Sequence, residues 1–490
     1  MVQPKKVVLT VFFALVLDLL AFTIPLPLFP RLIEWYLLRE SSKKPLVSRA
    51  VAFCGSLRTW LYSVQPISVS TASSLESTGG KNWDVVLLGG MMGSLFSLCQ
   101  CLMSPWLGRL ADQYGRRKVL LATMIGNILS ATIWIQSTSF ESYLLSRLIG
   151  GLSEGNVQLS TAIISDVASE ATRSKSLALV GIAFSVCFTL GPSLGAYFAT
   201  RPLPIATSED KLNIYAFPAA ISLVLLLLET LYLAIRLPET KGFKNTEESQ
   251  QGRTDAVENK SHDESKEQKL RKLKDITNLH GYFLLFFSGA EFTLTFLTYD
   301  VFSASNAFNG KLLSYIGVLA AIIQARHVRP TLAKIGEIRI ALRGVLSCTL
   351  GLILLSLLPY TTRRSFHILS HILLYTAATC LAYTSATTVT GLTAAAAGFC
   401  DERYPELQRG RALGKFRSRG QLGRAVGPLL ASALYWIYGP TIAYSTLGSL
   451  ERVYAYHLFY KQALVPPLQR DDKRGDGRAC RVPTCPMPRS

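Results

Sequence analysis

The sequence is poor in charge and poor in the residue patterns that build most soluble sites. Only 17% of its 490 residues are Asp, Glu, Lys or Arg, against 49% hydrophobic. The charges gather in short clusters between apolar runs, which excludes a wholly soluble globular enzyme and a disordered chain. Nine cysteines, at 54, 99, 101, 187, 348, 380, 400, 480 and 485, form no spaced pair of pairs. That excludes a disulfide scaffold and a zinc module, and they read as small apolar packers. His280, His367 and His371 are isolated; the last two are four apart, but no acidic or cysteine ligand accompanies them. No metal site and no cofactor are expected. No serine-nucleophile motif and no paired catalytic carboxylates beside a histidine appear, so an enzyme is not expected.

The apolar runs themselves are present in number. A span needs about 20 residues, and runs of that order lie at roughly 7–29, 84–106, 119–137, 144–165, 176–199, 214–235, 280–299, 312–325, 340–359, 366–388, 412–438 and 440–460. The eighth is short and the last is interrupted by Glu451, Arg452 and His457. Lys5 and Lys6 lead into the first run, and Pro25 and Pro27 stand where a cleavage site would need small residues, which predicts a retained first helix.

Lys and Arg (51) exceed Asp and Glu (32), giving +19. In a multipass protein the position of the basic residues matters more than their sum. With a cytoplasmic N-terminus, the inner segments 1–6, 108–118, 166–175, 236–279, 326–343 and 400–419 carry two, four, two, ten, five and six Lys and Arg. The short outer loops 138–143, 200–213, 300–311 and 360–365 carry none, two, one and two. This predicts a cytoplasmic N-terminus, central loop and C-terminus, and no nucleic-acid partner. The host membrane, plasma membrane or endomembrane, is left open.

The expected organisation is an all-α membrane protein of 6+6 transmembrane helices in two pseudo-symmetric bundles, with an atypical last helix. An N-terminal bundle (1–235) is followed by a cytoplasmic polar linker (236–279), a C-terminal bundle (280–460) and a disordered cytoplasmic tail (461–490). Two pairs of features fit an internal repeat. Asp18 and Glu291 lie in the first span of each half, and Gly191-Pro192 and Gly427-Pro428 lie in the fifth, with offsets of 273 and 236. A first outer loop (about 30–83) some 40 residues longer than its counterpart accounts for the difference.

The most specific motif follows the second span: Gly108-Arg-Leu-Ala-Asp112-Gln-Tyr-Gly115-Arg116-Arg117-Lys118. It resembles the signature of the major facilitator superfamily, G-x-x-x-D-[RK]-x-G-R-[RK]. Gly108, Asp112, Gly115, Arg116 and Arg117 match, and Gln113 departs from the usual basic residue. The glycines permit a tight turn, Asp112 is suited to face a helix N-terminus, and the arginines are suited to hold a cytoplasmic gate by carboxylate pairing. Gly191, Pro192 and Gly195 resemble the antiporter motif of the drug:proton branch. Asp18 ahead of a proline-marked end resembles the first helix of tetracycline:proton antiporters, and Arg147-Leu-Ile-Gly150-Gly151 resembles the family's intramembrane arginine motif. The whole pattern is similar to the animal tetracycline-transporter-like members of that superfamily.

The resemblance implies a major facilitator fold and a secondary transporter, proton-coupled, exporting small organic anions by alternating access, as a monomer in the lipid bilayer. A proton-independent facilitator and a non-transporting regulatory relative are the alternatives. Asp18 and Arg147 are expected to be mutual partners, because lone charges in a membrane are costly. Arg147, Glu154 and Gln158 are seven and eleven residues apart and are expected on one helix face towards the cavity. Whether Glu154 carries protons or repels the wrong solute is left open. Glu291 and Arg424 are the mirror candidates in the second half, for a buried pair or solute contact. Gly410-Arg-Ala-Leu-Gly414-Lys415-Phe416 looks like a phosphate loop but is one residue short and has Phe416 in place of Ser or Thr, so an ATPase is not expected. Arg326-His-Val-Arg-Pro is a degraded counterpart of the first half's gate motif.

Overall fold

The apolar runs become helices, and among the described residues there is no strand. The structure, a computed structural model, describes residues 3–25, 28–39, 46–63, 83–199, 212–243, 259–304, 306–363 and 366–463. In the first half these form α1 (Pro4–Thr23), α2 (Phe29–Arg39), α3 (Leu46–Ser63), α4 (Trp83–Tyr114), α5 (Arg116–Ile135), α6 (Phe140–Ser153), α7 (Asn156–Val167), α8 (Glu170–Phe198) and α9 (Ala216–Arg236). The second half has α10 (Asn259–Phe302), then α11 (Asn306–Ile323), which runs through a π-helical turn (Gln324–Val328) into α12 (Arg329–Ile335). It closes with α13 (Glu337–Arg363), α14 (His367–Gly398) and α15 (Arg409–Ala463), the last bent at Gly439, whose φ is 81°. Nine of the described helices are long and apolar enough to cross a membrane; α6, α7 and α15 pack among them.

Two buried apolar clusters bridge the halves, one at each end. At the Asp112 end, Leu107 and Val157 join Leu413 and Phe416. At the opposite end, Leu87 and Met92 join Phe296 and Leu297. The halves meet where α4 packs on α15 and α8 packs on α11, α12 and α14. Glycine sets the closest approaches. A Cβ at Gly191 would overlap the Thr23 side chain, and one at Gly195 the Ile24 carbonyl, so α8 lies directly on the end of α1. A Cβ at Gly427 would overlap the Leu285 carbonyl, so α15 lies in the same way on α10. Each Gly-Pro helix therefore packs against the first helix of its own half, where only hydrogen fits between backbones.

Four features go beyond the run of apolar segments. The first outer loop contains α2 and α3, whose Leu32, Ile33, Tyr36 and Cys54 are buried. Tyr36 donates to the Ser137 carbonyl at 3.0 Å and accepts from Asn213 Nδ2 at 2.8 Å, so the segment caps the bundle. The polar linker is helical from Asn259 onward, continuous with the seventh span; Lys269 there pairs with Asp401 at 2.8 Å, while 244–258 lie outside the described residues, as does most of the tail. The fourth span is broken at Glu154 (ψ 101°) and Gly155. The last arm of α15 is helical although Glu451 and Arg452 interrupt its apolar run: Glu451 is buried beside Cys348 and Arg452 is exposed.

Candidate functional site

Between the two apolar clusters lies a polar layer. On the first-half side it holds a partly open cavity of about 60 Å³ lined by Asp18, Phe22, Phe96, Asn127, Trp134, Arg147, Glu154 and Ser222 among others, with room for several waters. Asp18 comes from α1 and is buried; its Oδ1 accepts from Asn156 Nδ2 at 2.6 Å. Asn156 is the first residue of α7, a position that exists only because the fourth span breaks. The break also turns Glu154 into the cavity, where Asn127 Nδ2 donates to its Oε2 at 3.3 Å.

Arg147 lines the same cavity as Asp18, yet it pairs with no carboxylate among the described residues. Its guanidinium lies 5.6 Å from the Trp134 ring and 5.4 Å from the Tyr143 ring, and its Nε has no hydrogen-bond partner. The expected Asp18–Arg147 pair is thus replaced by an amide partner for the acid and aromatic faces for the base, which stabilise a cation without neutralising it. Gln158 leaves the expected face as well. Beyond the break it donates to the Ser104 carbonyl at 2.8 Å, in the crossing of α4 and α15.

The cation that acts on both Asp18 and Glu154 is Arg417, from α15 of the other half. It escaped the sequence reading because it lies among six basic residues of an apparent surface cluster. The Gln421 amide, with its oxygen turned to the guanidinium, accepts from Arg417 Nε and Nη2 at 3.0 and 2.9 Å. Arg424, seven residues on, shares that face and is the charge acting on Glu291 of α10. Glu291 is exposed and makes no ion pair with Arg424 within the described residues. His280 stacks on Phe416 with ring centroids 4.1 Å apart. His367 and His371 line a separate cleft at the end of α10 with Phe302 and Phe308.

The Asp112 end is a compact charge network. Gly115 (φ 103°) makes the turn from α4 to α5 that only glycine adopts without strain. Asp112 accepts from the backbone N–H groups of Gly410 (3.0 Å) and Arg411 (2.7 Å), the first turn of α15. A carboxylate there satisfies orphan donors and complements the helix dipole. Arg116 Nη1 lies 2.5 Å from Asp112 and Arg116 Nε 3.0 Å from Asp166, and Arg409 reaches Asp166 at 3.4 Å. Glu239 accepts from the backbone N–H of Arg116 (2.8 Å) and Arg117 (3.2 Å), and Arg117 Nη2 donates to the Ala234 carbonyl at 2.6 Å.

Below this network α4 and α15 run antiparallel in close contact. Gly108 meets Gly410 backbone to backbone, Gly414 meets the Ser104 carbonyl, and Ser418 donates to the Cys101 carbonyl at 2.7 Å. The string that looked like a phosphate loop is this small-residue contact ladder. Asp166, Glu239 and Arg409 were not singled out from sequence; each matters only through a partner distant in the chain. Just outside the bundle, burial raises the Asp401 carboxyl, but hydrogen bonds from Arg403 and Lys269 outweigh it and hold the group well below the usual carboxylate range.

Comparison with known proteins agrees with this architecture. Residues 11–428 match the Major Facilitator Superfamily. The chain is 34% identical to the Homo sapiens major facilitator superfamily domain-containing protein 10, over 95% of each chain. It is 31% identical over 22% of its length to the class B tetracycline resistance protein of Escherichia coli, covering 27% of that protein. It superposes on the crystal structure of the human organic anion transporter MFSD10 (TETRAN) with a TM-score of 0.74 and 30% identity, covering 94% of this chain and all (100%) of that one. This chain belongs to the major facilitator superfamily and is a helical, multi-pass membrane transporter, not an enzyme.

Proposed function

We propose that the chain exchanges protons for small organic anions by alternating access, exporting the anion. One observation carries this reading: the buried acids Asp18 and Glu154 of the first half share a polar layer with Arg417 of the second, while Arg147 in the same cavity has no acidic partner among the described residues. A planar guanidinium with unused donors suits a carboxylate, and an organic anion entering between the halves meets Arg147. Exchange requires that the layer cross with either the anion or the proton and never both: the anion leaves before Asp18 takes its proton, and Asp18 gives the proton up before the next anion loads. A carboxylate drives such a cycle only if its proton affinity differs between the two conformations. Arg424 and Glu291 supply a second cation and acid on the C-terminal side of the layer. The human relative is an organic anion transporter, and this supports the solute class.

The halves are 1–235 and 280–460, rocking about the layer, with the termini and the 236–279 segment cytoplasmic and the chain acting as a monomer. Purified protein in proteoliposomes tests the reading. An imposed pH gradient drives uptake of the probe anion p-aminohippurate by the wild type, and Asp18→Asn abolishes the gradient dependence while leaving anion–anion exchange. Gradient-independent uptake in the wild type would leave a facilitator; intact coupling in Asp18→Asn would remove Asp18 from the proton path.

A further inference from the structure

One buried acid has no part in the exchange just described. Glu229 lies in the middle of α9, an apolar helix, and is 1% exposed. Its Oε2 has no hydrogen-bond partner. It lies on the buried stripe Ala219, Ser222, Leu226, Glu229 and Leu233, which α9 turns towards the interior. Ser222 and Leu226 line the cavity, and Ser222 donates to the Ala21 carbonyl at 3.0 Å, which fixes this face against α1. Glu229 is therefore one helical turn beyond the cavity wall.

The three acids of this region differ in what surrounds them. Asp18 holds an Asn156 donor and Glu154 an Asn127 donor, and both feel Arg417. The charges that act on Glu229 are Asp18 from α1 and Glu154 from the α6–α7 break, both acidic. Three helices pack against α9. The remaining charges of α1 are Lys5 and Lys6 at its start. The charged residues of α5 are confined to Arg116, Arg117 and Lys118 at its start, where Arg117 is bound to the α9 carbonyl of Ala234. α8 touches α9 at Phe198 and Phe217, and its charged residues, Glu170, Arg173 and Lys175, lie at its opposite end. On α9 itself the next charge is Arg236, two turns on at the helix end. A buried carboxyl without donor or cation is costly charged and cheap neutral, and an ionisable group inside a membrane helix marks an ion path more often than a packing site.

We infer that Glu229 is a second proton-carrying site, coupled to Asp18 through the cavity, so that each cycle exchanges two protons for one organic anion. The proton binds one carboxylate oxygen and leaves it by way of cavity water, and no other bond changes. The inference rests on the exchange reading above and adds to it a stoichiometry and a residue. When Asp18 gives up its proton its charge opposes ionisation of Glu229; when Asp18 is neutral that opposition is lifted, so the two sites load and unload in a coupled order.

Proteoliposomes clamped at zero membrane potential test it, with p-aminohippurate as the probe anion. Each proton exchanged multiplies the limiting anion gradient about tenfold per pH unit. The wild type should reach about 100-fold at one unit and Glu229→Gln about tenfold, with Glu229→Asp restoring the wild-type slope. Infrared difference spectra across a pH titration, which need no substrate, should show a protonated-carboxyl band that Glu229→Gln removes and Asp18→Asn shifts. Equal slopes in wild type and Glu229→Gln, or an unchanged carboxyl band, overturn the inference. No pH dependence in the wild type, with the band present and sensitive to Glu229, overturns the exchange reading instead.

Discussion

The two junctions that join the halves at the Asp112 end share a backbone and differ in chemistry. At the first, α4 turns into α5 through Gly115 with φ 103° and ψ 153°. At the second, α12 turns into α13 through Gly336 with φ 97° and ψ 145°. The same left-handed turn thus recurs at corresponding places. Three residues before each glycine stand Asp112 and Ala333. Asp112 caps the first turn of α15 and anchors Arg116; alanine has no group for either task. The second junction has no ion pair among the described residues. Gln324, in the π-helical turn, donates to the Ala178 carbonyl at 3.2 Å and to Thr390 Oγ1 at 3.0 Å, and Ser174 donates to Glu337 at 2.5 Å. A repeated fold preserves turns because they fix the chain path, whereas one charged latch is enough to hold one end closed.

The largest test of this contrast is Asp112→Asn. It leaves an acceptor for the α15 amides but removes the charge facing buried Arg116, and breaking such a pair costs about 3 kcal/mol. A clear fall in melting temperature in detergent and loss of most transport are expected. Glu337→Gln at the second junction keeps an acceptor for the Ser174 hydroxyl and forfeits about 0.5–1 kcal/mol. If both variants lower the melting temperature equally, the asymmetry between the junctions is not real.

The smallest effect belongs to Asp401→Asn, outside the bundle. The folded carboxyl is held below its unfolded value, so its contribution is present above the unfolded value of about 3.9 and is lost as pH falls through the lower folded one. The pair with Lys269 is partly exposed, and its worth is below about 1 kcal/mol. Melting curves of Asp401→Asn and wild type should differ slightly at pH 7 and converge only under strongly acidic conditions; convergence already near pH 6 would contradict the depressed carboxyl.

Much of the scaffold was legible from residues alone. Run length and hydropathy located the helices, Gly115 marked the turn, and the Gly191-Pro192 and Gly427-Pro428 pairs marked two corresponding spans, because each acts within a few residues of itself. The site was read less completely. Asp18, Arg147 and Glu154 line one cavity, but the seven- and eleven-residue spacing implies a continuous helix where Glu154 and Gly155 break it, and the break takes Gln158 off the cavity and brings Asn156 onto Asp18. Glu229 sits in an apolar run and was open to notice as a lone membrane acid. Arg417 was hidden by its basic neighbours, since a cluster read along the chain does not reveal which member turns inward.

The sequence by itself determined a bundle of membrane helices in two related halves, with a charged turn at one end. Those features follow from local hydropathy, from backbone angles that only glycine tolerates, and from spacing along one helix. The tertiary structure decided which charge meets which: Asp18 with Asn156, Arg147 with aromatic rings, Asp112 with the start of α15, and Arg417 across the halves. Partners separated by more than a hundred residues are chosen by how helices pack, and in a low-dielectric interior that choice sets the energy of every buried charge.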